Sequence, residues 1–310
     1  MRLAMYNQQG QARLGALLNA QTAQRAQIVD LLRAARLLRY AQPLPNSVDQ
    51  LLDGGAFYLD SVHQFMASIE NLSESALKAL VEAGALFDLA KANLLPPVSK
   101  PGKIICVGLN YPVPGADASP AQAFPVIFLK PTSTLLGSGG RVILPHTSRE
   151  IAGETELVVV IGRYARHISV EQALDYVAGY SLAMDIGARD WEARTTQWTS
   201  GKLGDTFTPL GPFLLTADEM PDPSGVVLSL TINDSTALRG RTRQMIFGIP
   251  ALIAYLSEIT TLQPGDIILT GSPKGVDDQP RGPVLLSPGE RLLATASGLG
   301  QLVVDVVQEE

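Results

Sequence analysis

The fold is best read from the stretch Gly153-Glu154-Thr155-Glu156-Leu157-Val158-Val159-Val160-Ile161-Gly162. Its apolar part is rich in β-branched residues and ends at a glycine, which predicts a buried β-strand. Alternate side chains of a strand share one face, so Glu154 and Glu156 should point the same way, with α-carbons about 6.5–7 Å apart. Two such carboxylates repel each other, and they stay ionised only if a cation lies between them or water reaches both.

Length and charge limit the class of protein. The chain has 310 residues and a formal net charge of −6. This length accommodates one large domain and a smaller one, and the negative charge argues against nucleic acid or an anionic membrane as the main partner. No apolar run approaches the roughly 18 residues of a membrane span, and the start lacks the apolar core of a signal peptide. The single cysteine, Cys106, cannot form an internal disulfide, so a cytoplasmic protein is expected.

The distribution of residue types predicts two domains. Residues 1–95 are expected to form a small N-terminal α/β domain with helices over 20–40 and 73–92. Residues 96–102 are dense in proline and glycine and are predicted to be a linker. Residues 103–310 are expected to be mainly β, which makes the fold class mixed α+β, with helices predicted over 169–177 and 249–259. The predicted strands of this second domain are 103–108, 126–129, 156–161, 226–232, 266–270 and 301–307.

A third carboxylate, Asp185, ends a strand-like run that follows the predicted helix over 169–177. A strand–helix–strand connection would place this run in the same sheet as the glutamate pair. Three carboxylates without imidazole or thiolate suit Mg²⁺, Mn²⁺ or Ca²⁺. The alternative is three carboxylates at strand ends that face solvent. The chain contains no G-x-S-x-G motif, so a serine nucleophile is not indicated.

Separated segments of the second domain form one ordered set. They are Lys103–Tyr111, Val126–Pro131, Glu154–Leu157, Asp185–Asp190, Gly201–Pro212 and Gly265–Val276. Together, in their order and spacing, these segments resemble the fumarylacetoacetate hydrolase family. The resemblance implies a rolled mixed β-sheet (β-roll) catalytic domain, a homodimer, and a divalent cation, Mg²⁺ or Mn²⁺.

The same resemblance implies roles for individual residues. Glu154, Glu156 and Asp185 match the metal-binding carboxylates of the family, and the active-site lysine matches Lys202. The positions that bind substrate match Tyr111, Arg189, Glu192, Thr270 and Gly271. A 2-oxo acid or 1,3-diketone would chelate the metal through two oxygens, so that the carbonyl is polarised and an enolate is stabilised. Lys202 would add positive charge where the oxyanion develops.

The chain departs from the family after Tyr111. Hydrolytic relatives have a histidine three residues later and a glutamate three further on, which activate water, whereas this chain has Pro114 and Asp117. Proline cannot accept a proton, so Asp117 is the candidate for a weaker base; alternatively it is a solvated loop residue. Nearby, Glu192 replaces a common glutamine and Gly187 replaces a common serine or threonine.

Three functions remain open from the sequence. The first is a metal-dependent hydrolase that cleaves a C–C bond in an acylpyruvate-like or other 1,3-dicarbonyl substrate. The second is a 2-oxo acid tautomerase or decarboxylase, or a dehydratase or hydratase of 2-oxo-3-deoxy acids, on the same metal-binding residues. The third is a protein that binds metal and 2-oxo acid without turnover.

Overall fold

The structure is a computed structural model that describes residues 1–18, 26–115, 123–277 and 279–310. Within these ranges the strands form two β-sheets. The first sheet comprises β1 Arg2–Gln8, β2 Gln11–Leu18, β3 Gln27–Asp30, β4 Leu86–Asp88, β5 Asn93–Leu95, β6 Ile104–Gly108, β7 Val126–Lys130, β8 Leu135–Leu136, β10 Ile151–Ile161, β11 Val177–Ala188, β12 Thr208–Thr216 and β15 Ile267–Leu269. The second comprises β9 Arg141–Leu144, β13 Val227–Ile232, β14 Ser235–Arg241, β16 Gly275–Val276, β17 Gln279–Pro280, β18 Arg291–Ala296 and β19 Gly300–Gln308.

Strand β10 lies inside the first sheet and separates two hydrophobic cores. The order of strands is β4-β3-β2-β1-β12-β11-β10-β15-β6-β7, with β5 added to β1 and β8 added to β12. Leu157, Val159 and Ile161 pack into one core, and Val158 and Val160 pack into the other. Because both faces of the strand are covered, its sequence is continuously apolar here instead of alternating.

The N-terminal region shares this sheet with the rest of the chain. Strand β1 pairs antiparallel with β12, with Arg2 opposite Leu215. Strands β2, β3 and β4 then continue the sheet away from β12, and β5 pairs with β1. The domain boundary at 96–102 stays a prediction, but strands from both sides of it belong to one hydrogen-bonded sheet.

Among residues 1–18 and 26–95, four α-helices are present: α1 Leu31–Leu38, α2 Val48–Gly54, α3 Ala56–Glu70 and α4 Glu74–Glu82. Side chains satisfy the free backbone N–H groups at three of their starts, as helix N-termini require. Asp30 accepts from Arg33 N, Ser47 from Gln50 N and Ser73 from Ala76 N. The apolar residues of these helices, among them Val62 and Phe65, are buried in the same core as Val158 and Val160.

Two predicted helices in this region were too long. Within 20–40, residues 20–25 lie outside the described residues, and residues 27–30 form β3, which pairs with β2 and β4. Helix α4 ends at Glu82 because the chain then turns at Gly84, which has φ +64°, into β4. In both places, pairing with distant strands overrides local helix propensity.

The C-terminal part is mainly β, and the predicted fold class is confirmed. Each of the six predicted strands overlaps an observed one, and α7 covers Ile249–Ile259 as predicted. The helix predicted over 169–177 was wrong: only a 3-10 turn at Ala173–Tyr176 forms before β11 begins at Val177. Two further short helices, α5 Arg189–Glu192 and α6 Thr199–Lys202, follow β11. Among the described residues, no helix has the length and apolar character needed to cross a membrane.

Candidate functional site

The three predicted carboxylates converge between two antiparallel strands. The register of β10 and β11 places Glu154 directly opposite Asp185, and Glu156 lies two residues along on the same face of the strand. One carboxylate oxygen from each residue lies within 4.8 Å of the other two. Glu156 and Asp185 are buried, and Glu154 is partly exposed. The alternative of three solvent-facing carboxylates is therefore wrong.

Two lysines compensate the charge of Asp185. Lys130 Nζ lies 2.6 Å from Oδ1, and Lys202 Nζ lies 2.6 Å from Oδ2. Lys130 also donates to the carbonyl oxygens of Ile186 at 3.1 Å and Phe207 at 2.7 Å. Burial alone would raise the pKa of Asp185, but the two ammonium groups lower this pKa to about 2. Asp185 is thus an anion at neutral pH.

The two glutamates have different electrostatic surroundings. Burial, reinforced by the charges of Asp185 and Glu154, raises the pKa of Glu156 to about 8, although Gly271 N–H donates to its Oε2 at 2.6 Å. In Glu154, by contrast, burial is outweighed chiefly by Lys274, whose Nζ lies 2.6 Å from Oε1, so that the pKa is lowered. Without a bound cation, Glu156 is therefore the residue of this trio that holds a proton near neutral pH.

A fourth carboxylate, Glu192, lies beside the trio on α5. Its Oε2 accepts from Arg189 Nη1 at 2.8 Å, and its Oε1 lies 3.6 Å from Lys202 Nζ. Glu192 is buried, and its Oε1 has no hydrogen-bond partner among the described residues. A Cβ on Gly187 would come within 2.3 Å of that same oxygen. The absence of a side chain at Gly187 thus makes room for Glu192 next to Lys202.

These groups line one cavity of about 260 Å³. Leu109, Phe128 and Trp198 form its apolar side. Seven of the residues predicted for the site are in its wall: Glu154, Glu156, Asp185, Arg189, Glu192, Lys202 and Gly271. The structure therefore brings together most of a set of residues that are far apart in the sequence.

The other predicted site residues are placed differently. Thr270 is fully buried, and its hydroxyl donates to Leu157 O at 2.8 Å, so it is used within the fold and does not line the cavity. Tyr111 is also outside the lining; its hydroxyl is buried without a hydrogen-bond partner in the described part of the chain. Burial, followed by the charge of Glu156, raises the pKa of Tyr111. Asp117 lies outside the described residues.

Sequence reasoning missed two functional lysines, Lys130 and Lys274. Both lie in segments that carry the family resemblance, Val126–Pro131 and Gly265–Val276. For Lys130 the available signal was its position at the end of an apolar strand, where an ammonium group has to find a buried partner. Lys274 lies five residues after the strand Ile267–Leu269 and gave no such signal. Only the fold shows that these partners are Asp185 and Glu154.

The residues present fit a hard divalent cation. The donors are carboxylate oxygens, which Mg²⁺ and Mn²⁺ prefer. Glu154, the most exposed of the three, lines the cavity, so an ion has access to the site. Each carboxylate has about four lone-pair positions, so Asp185 can accept from both lysines and still ligate an ion.

Comparisons with known proteins show relatives with related chemistry. The sequence model of the fumarylacetoacetate (FAA) hydrolase C-terminal family matches residues 103–307. The mitochondrial oxaloacetate tautomerase Fahd2a of Rattus norvegicus is 39% identical over 250 residues, 79% of each chain. That relative is named mitochondrial, and a cytoplasmic location for this chain stays a prediction.

Two solved structures resemble the whole chain. Maleylpyruvate hydrolase from Sphingobium sp. SYK-6, in complex with manganese(II) and pyruvate, has a TM-score of 0.73 and 31% identity over 100% of both chains. The 5-carboxymethyl-2-hydroxymuconate delta-isomerase from Mycobacterium smegmatis has a TM-score of 0.74 and 27% identity, again over 100% of both chains. The similar proteins thus include a tautomerase, a hydrolase and an isomerase.

Proposed function

The chain belongs to the fumarylacetoacetate hydrolase family and is one of its enzymes, and from this premise we propose that it is a divalent-metal-dependent tautomerase of a 2-oxo acid of the oxaloacetate type. One observation carries the proposal. The cavity joins the acidic trio to Lys202 and to Glu192, a carboxylate outside the trio, and none of the described residues that line it is a histidine. Interconversion of keto and enol forms needs proton transfer but no activated water.

In this proposal Glu154, Glu156 and Asp185 hold Mg²⁺ or Mn²⁺. A bound cation supplies Lewis-acid polarisation of the 2-oxo group, which makes the neighbouring C–H bond more acidic. The manganese in the maleylpyruvate hydrolase structure supports a divalent ion of this kind. Arg189 and Lys274, which line the same cavity, would orient the carboxylate of the substrate.

The proton transfers are assigned to Glu192 and Lys202. Glu192 accepts the proton from C3 of the 2-oxo acid, and the Lys202 ammonium donates a proton to the 2-oxo oxygen, which yields the enol. The proton then passes from Glu192 to Lys202 across the 3.6 Å between Oε1 and Nζ, and both groups return to their starting state. The reverse sequence converts enol to ketone, so no atom is gained or lost.

Cleavage of a C–C bond is the second candidate, because the similar Sphingobium protein is a maleylpyruvate hydrolase. In that case Asp117 would take the place of the family's water-activating pair. The substrate would be an acylpyruvate, and each turnover would release two acids. Changing Asp117 to Asn would then lower the rate by about 10²-fold or more with metal affinity unaltered.

One experiment separates the two reactions. The full chain, loaded with Mg²⁺ or Mn²⁺, is mixed in separate assays with freshly dissolved enol-oxaloacetate and with an acylpyruvate. In each assay the ultraviolet absorbance of the enol and the release of smaller acids are followed together. Tautomerisation predicts faster decay of the enol with all carbon retained, slowed about 10²-fold or more by Glu192→Gln. Release of two acids from an acylpyruvate, without any effect on the oxaloacetate enol, would refute the tautomerase and support hydrolysis.

Metal dependence is tested with Glu154→Gln. This variant should lose both metal binding by calorimetry and the tautomerase activity while it unfolds at nearly the wild-type temperature. Full activity in this variant would refute the metal assignment.

The assembly that we propose is a homodimer, as the family resemblance implies. Light scattering of the full chain should give twice the monomer mass of 33.0 kDa. A mass equal to the monomer would contradict it.

A further inference from the structure

A second cavity, separate from the catalytic one, lies in the N-terminal part of the chain. It has a volume of about 550 Å³, whereas the catalytic cavity has about 260 Å³. One wall is the hairpin of β1 and β2, which turns at Gln9 and Gly10, and the other is formed by α1 and Asn46. We call it the hairpin cavity. No described residue lines both cavities, so a ligand in the hairpin cavity would bind without contacting the acidic trio.

The hairpin cavity carries an excess of positive charge, although the chain as a whole has a net charge of −6. Three arginines line it, Arg13, Arg33 and Arg36, against a single carboxylate, that of Asp30. Two positive charges therefore stay uncompensated within the lining that the structure describes. A cavity of this kind concentrates positive potential and attracts anions.

The single carboxylate, Asp30, is occupied by contacts within the fold. Its Oδ2 accepts from Tyr6 Oη at 2.7 Å and from Arg13 Nη1 at 3.0 Å, and its Oδ1 accepts from Arg33 N at 2.9 Å. Asp30 is buried, and it caps the start of α1. Its charge therefore holds Arg13 in place and is compensated by it, which leaves Arg33 and Arg36 as the two uncompensated cations.

The arginines offer hydrogen-bond donors that the fold does not use. Arg33 and Arg36 are exposed, and of the three arginines only Arg13 pairs with a carboxylate in the described part of the chain. Arg13 Nε is buried and has no hydrogen-bond partner among the described residues. Because a buried donor without a partner is unfavourable, an anionic oxygen is the complementary group. Guanidinium groups bind phosphate oxygens through paired hydrogen bonds.

Amide side chains supply the neutral part of the lining. Gln8 Oε1 is buried, and within the described ranges no group donates a hydrogen bond to it. Gln9 and Asn46 also line the cavity and are exposed. Amides donate to hydroxyl groups and accept from them. The lining thus suits a ligand that joins an anionic end to a hydroxylated body.

From these observations we propose that the hairpin cavity binds a phosphate ester of a hydroxylated small molecule, either a sugar phosphate or a nucleotide. A phosphate monoester carries a charge of about −1.5 to −2 at pH 7, which matches the two uncompensated positive charges. Arg13, Arg33 and Arg36 bind the phosphate oxygens, and Gln8 accepts from a hydroxyl group. The site needs neither the metal nor the acidic trio, so this inference is independent of the proposed function.

Calorimetric titration of the metal-free full chain tests this proposal. The probes are ribose 5-phosphate, AMP and inorganic phosphate, in a buffer that contains no phosphate. The wild-type chain should bind at least one of the two esters with a dissociation constant of about 1 mM or lower. Arg36→Gln should weaken that binding about 10-fold or more, because it removes a charged contact to the phosphate. Gln8→Ala should weaken ester binding about 5-fold and change the binding of inorganic phosphate less than about 2-fold.

Arg39→Gln is the matched control. Arg39 is the C-cap of α1, is exposed and does not line the cavity, so its replacement removes the same charge without removing a contact. The affinity for the esters should change less than about 2-fold. Tighter binding of AMP would assign the site to a nucleotide, and equal or tighter binding of ribose 5-phosphate would assign it to a sugar phosphate.

Three results would overturn the proposal. The first is equal weakening in Arg36→Gln and Arg39→Gln, which would show general attraction of anions in place of a site. The second is a wild-type chain that binds neither ester up to about 10 mM. The third is binding of inorganic phosphate alone. Tautomerase activity of the metal-loaded chain is measured separately, so neither proposal decides the outcome of the other.

Discussion

Replacement of Lys130 by methionine tests how the site holds its buried aspartate. Lys130 is buried, and its Nζ contacts Asp185 Oδ1 at 2.6 Å and the carbonyl oxygens of Ile186 and Phe207 at 3.1 Å and 2.7 Å. Methionine preserves the length and the apolar part of the side chain but removes the charge and all three hydrogen bonds. Asp185 then keeps only Lys202 as its cationic partner.

The expected loss of stability in Lys130→Met follows from these contacts. Removal of one partner of a buried ion pair costs about 3–5 kcal/mol, because the other charge stays buried. At about 2.1 cal/mol/K per residue, the 310 residues give an unfolding entropy of about 0.65 kcal/mol/K. Dividing the lost free energy by this unfolding entropy predicts that Lys130→Met lowers the melting temperature by about 5–8 °C.

The assay is thermal unfolding followed by circular dichroism in excess chelator, so that a bound cation does not contribute. The matched control is Lys78→Met, the same substitution at an exposed helical pair in which Lys78 Nζ lies 3.9 Å from Glu82. Such pairs contribute little, and the control should stay within about 1 °C of the wild type. A shift below about 2 °C for Lys130→Met, or equal shifts for both variants, would refute the role assigned to Lys130.

Two further predictions concern protonation and space in the cavity. Since the pKa of Glu156 is about 8 without a cation, Mg²⁺ binding at pH 7 should release about one proton. Calorimetry in two buffers of different ionisation enthalpy measures this release, which should fall to about 0.1 proton at pH 9. In Gly187→Ser the new Cβ would lie 2.3 Å from Glu192 Oε1 and 2.9 Å from Lys202 Nζ. Activity should fall about 10²-fold through misplacement of these groups, with little change in melting temperature; wild-type kinetics would contradict this.

Much of the fold was predictable from the sequence because local pattern and burial agreed. The run from Leu157 to Ile161 is apolar throughout because both faces of β10 are buried, and the helix at Ile249–Ile259 buries Leu252, Ile253 and Leu256, which recur at helical spacing. The helix predicted over 20–40 was too long: residues 27–30 pair with two strands, and of its described residues only Leu31–Leu38 are α-helical. Helix propensity is a weak local preference, and strand pairing with a distant segment outweighs it.

The acidic residues of the site were evident from the sequence, since alternation along a strand placed Glu154 and Glu156 on one face and a strand-like run ended at Asp185. Tertiary structure alone decided which charges stand beside them. The register of β10 and β11 puts Glu154 opposite Asp185, and the fold brings Lys130 to Asp185 and Lys274 to Glu154 across 55 and 120 residues of chain. Strand periodicity determines which face a side chain occupies, whereas its partner on that face depends on how distant segments pack.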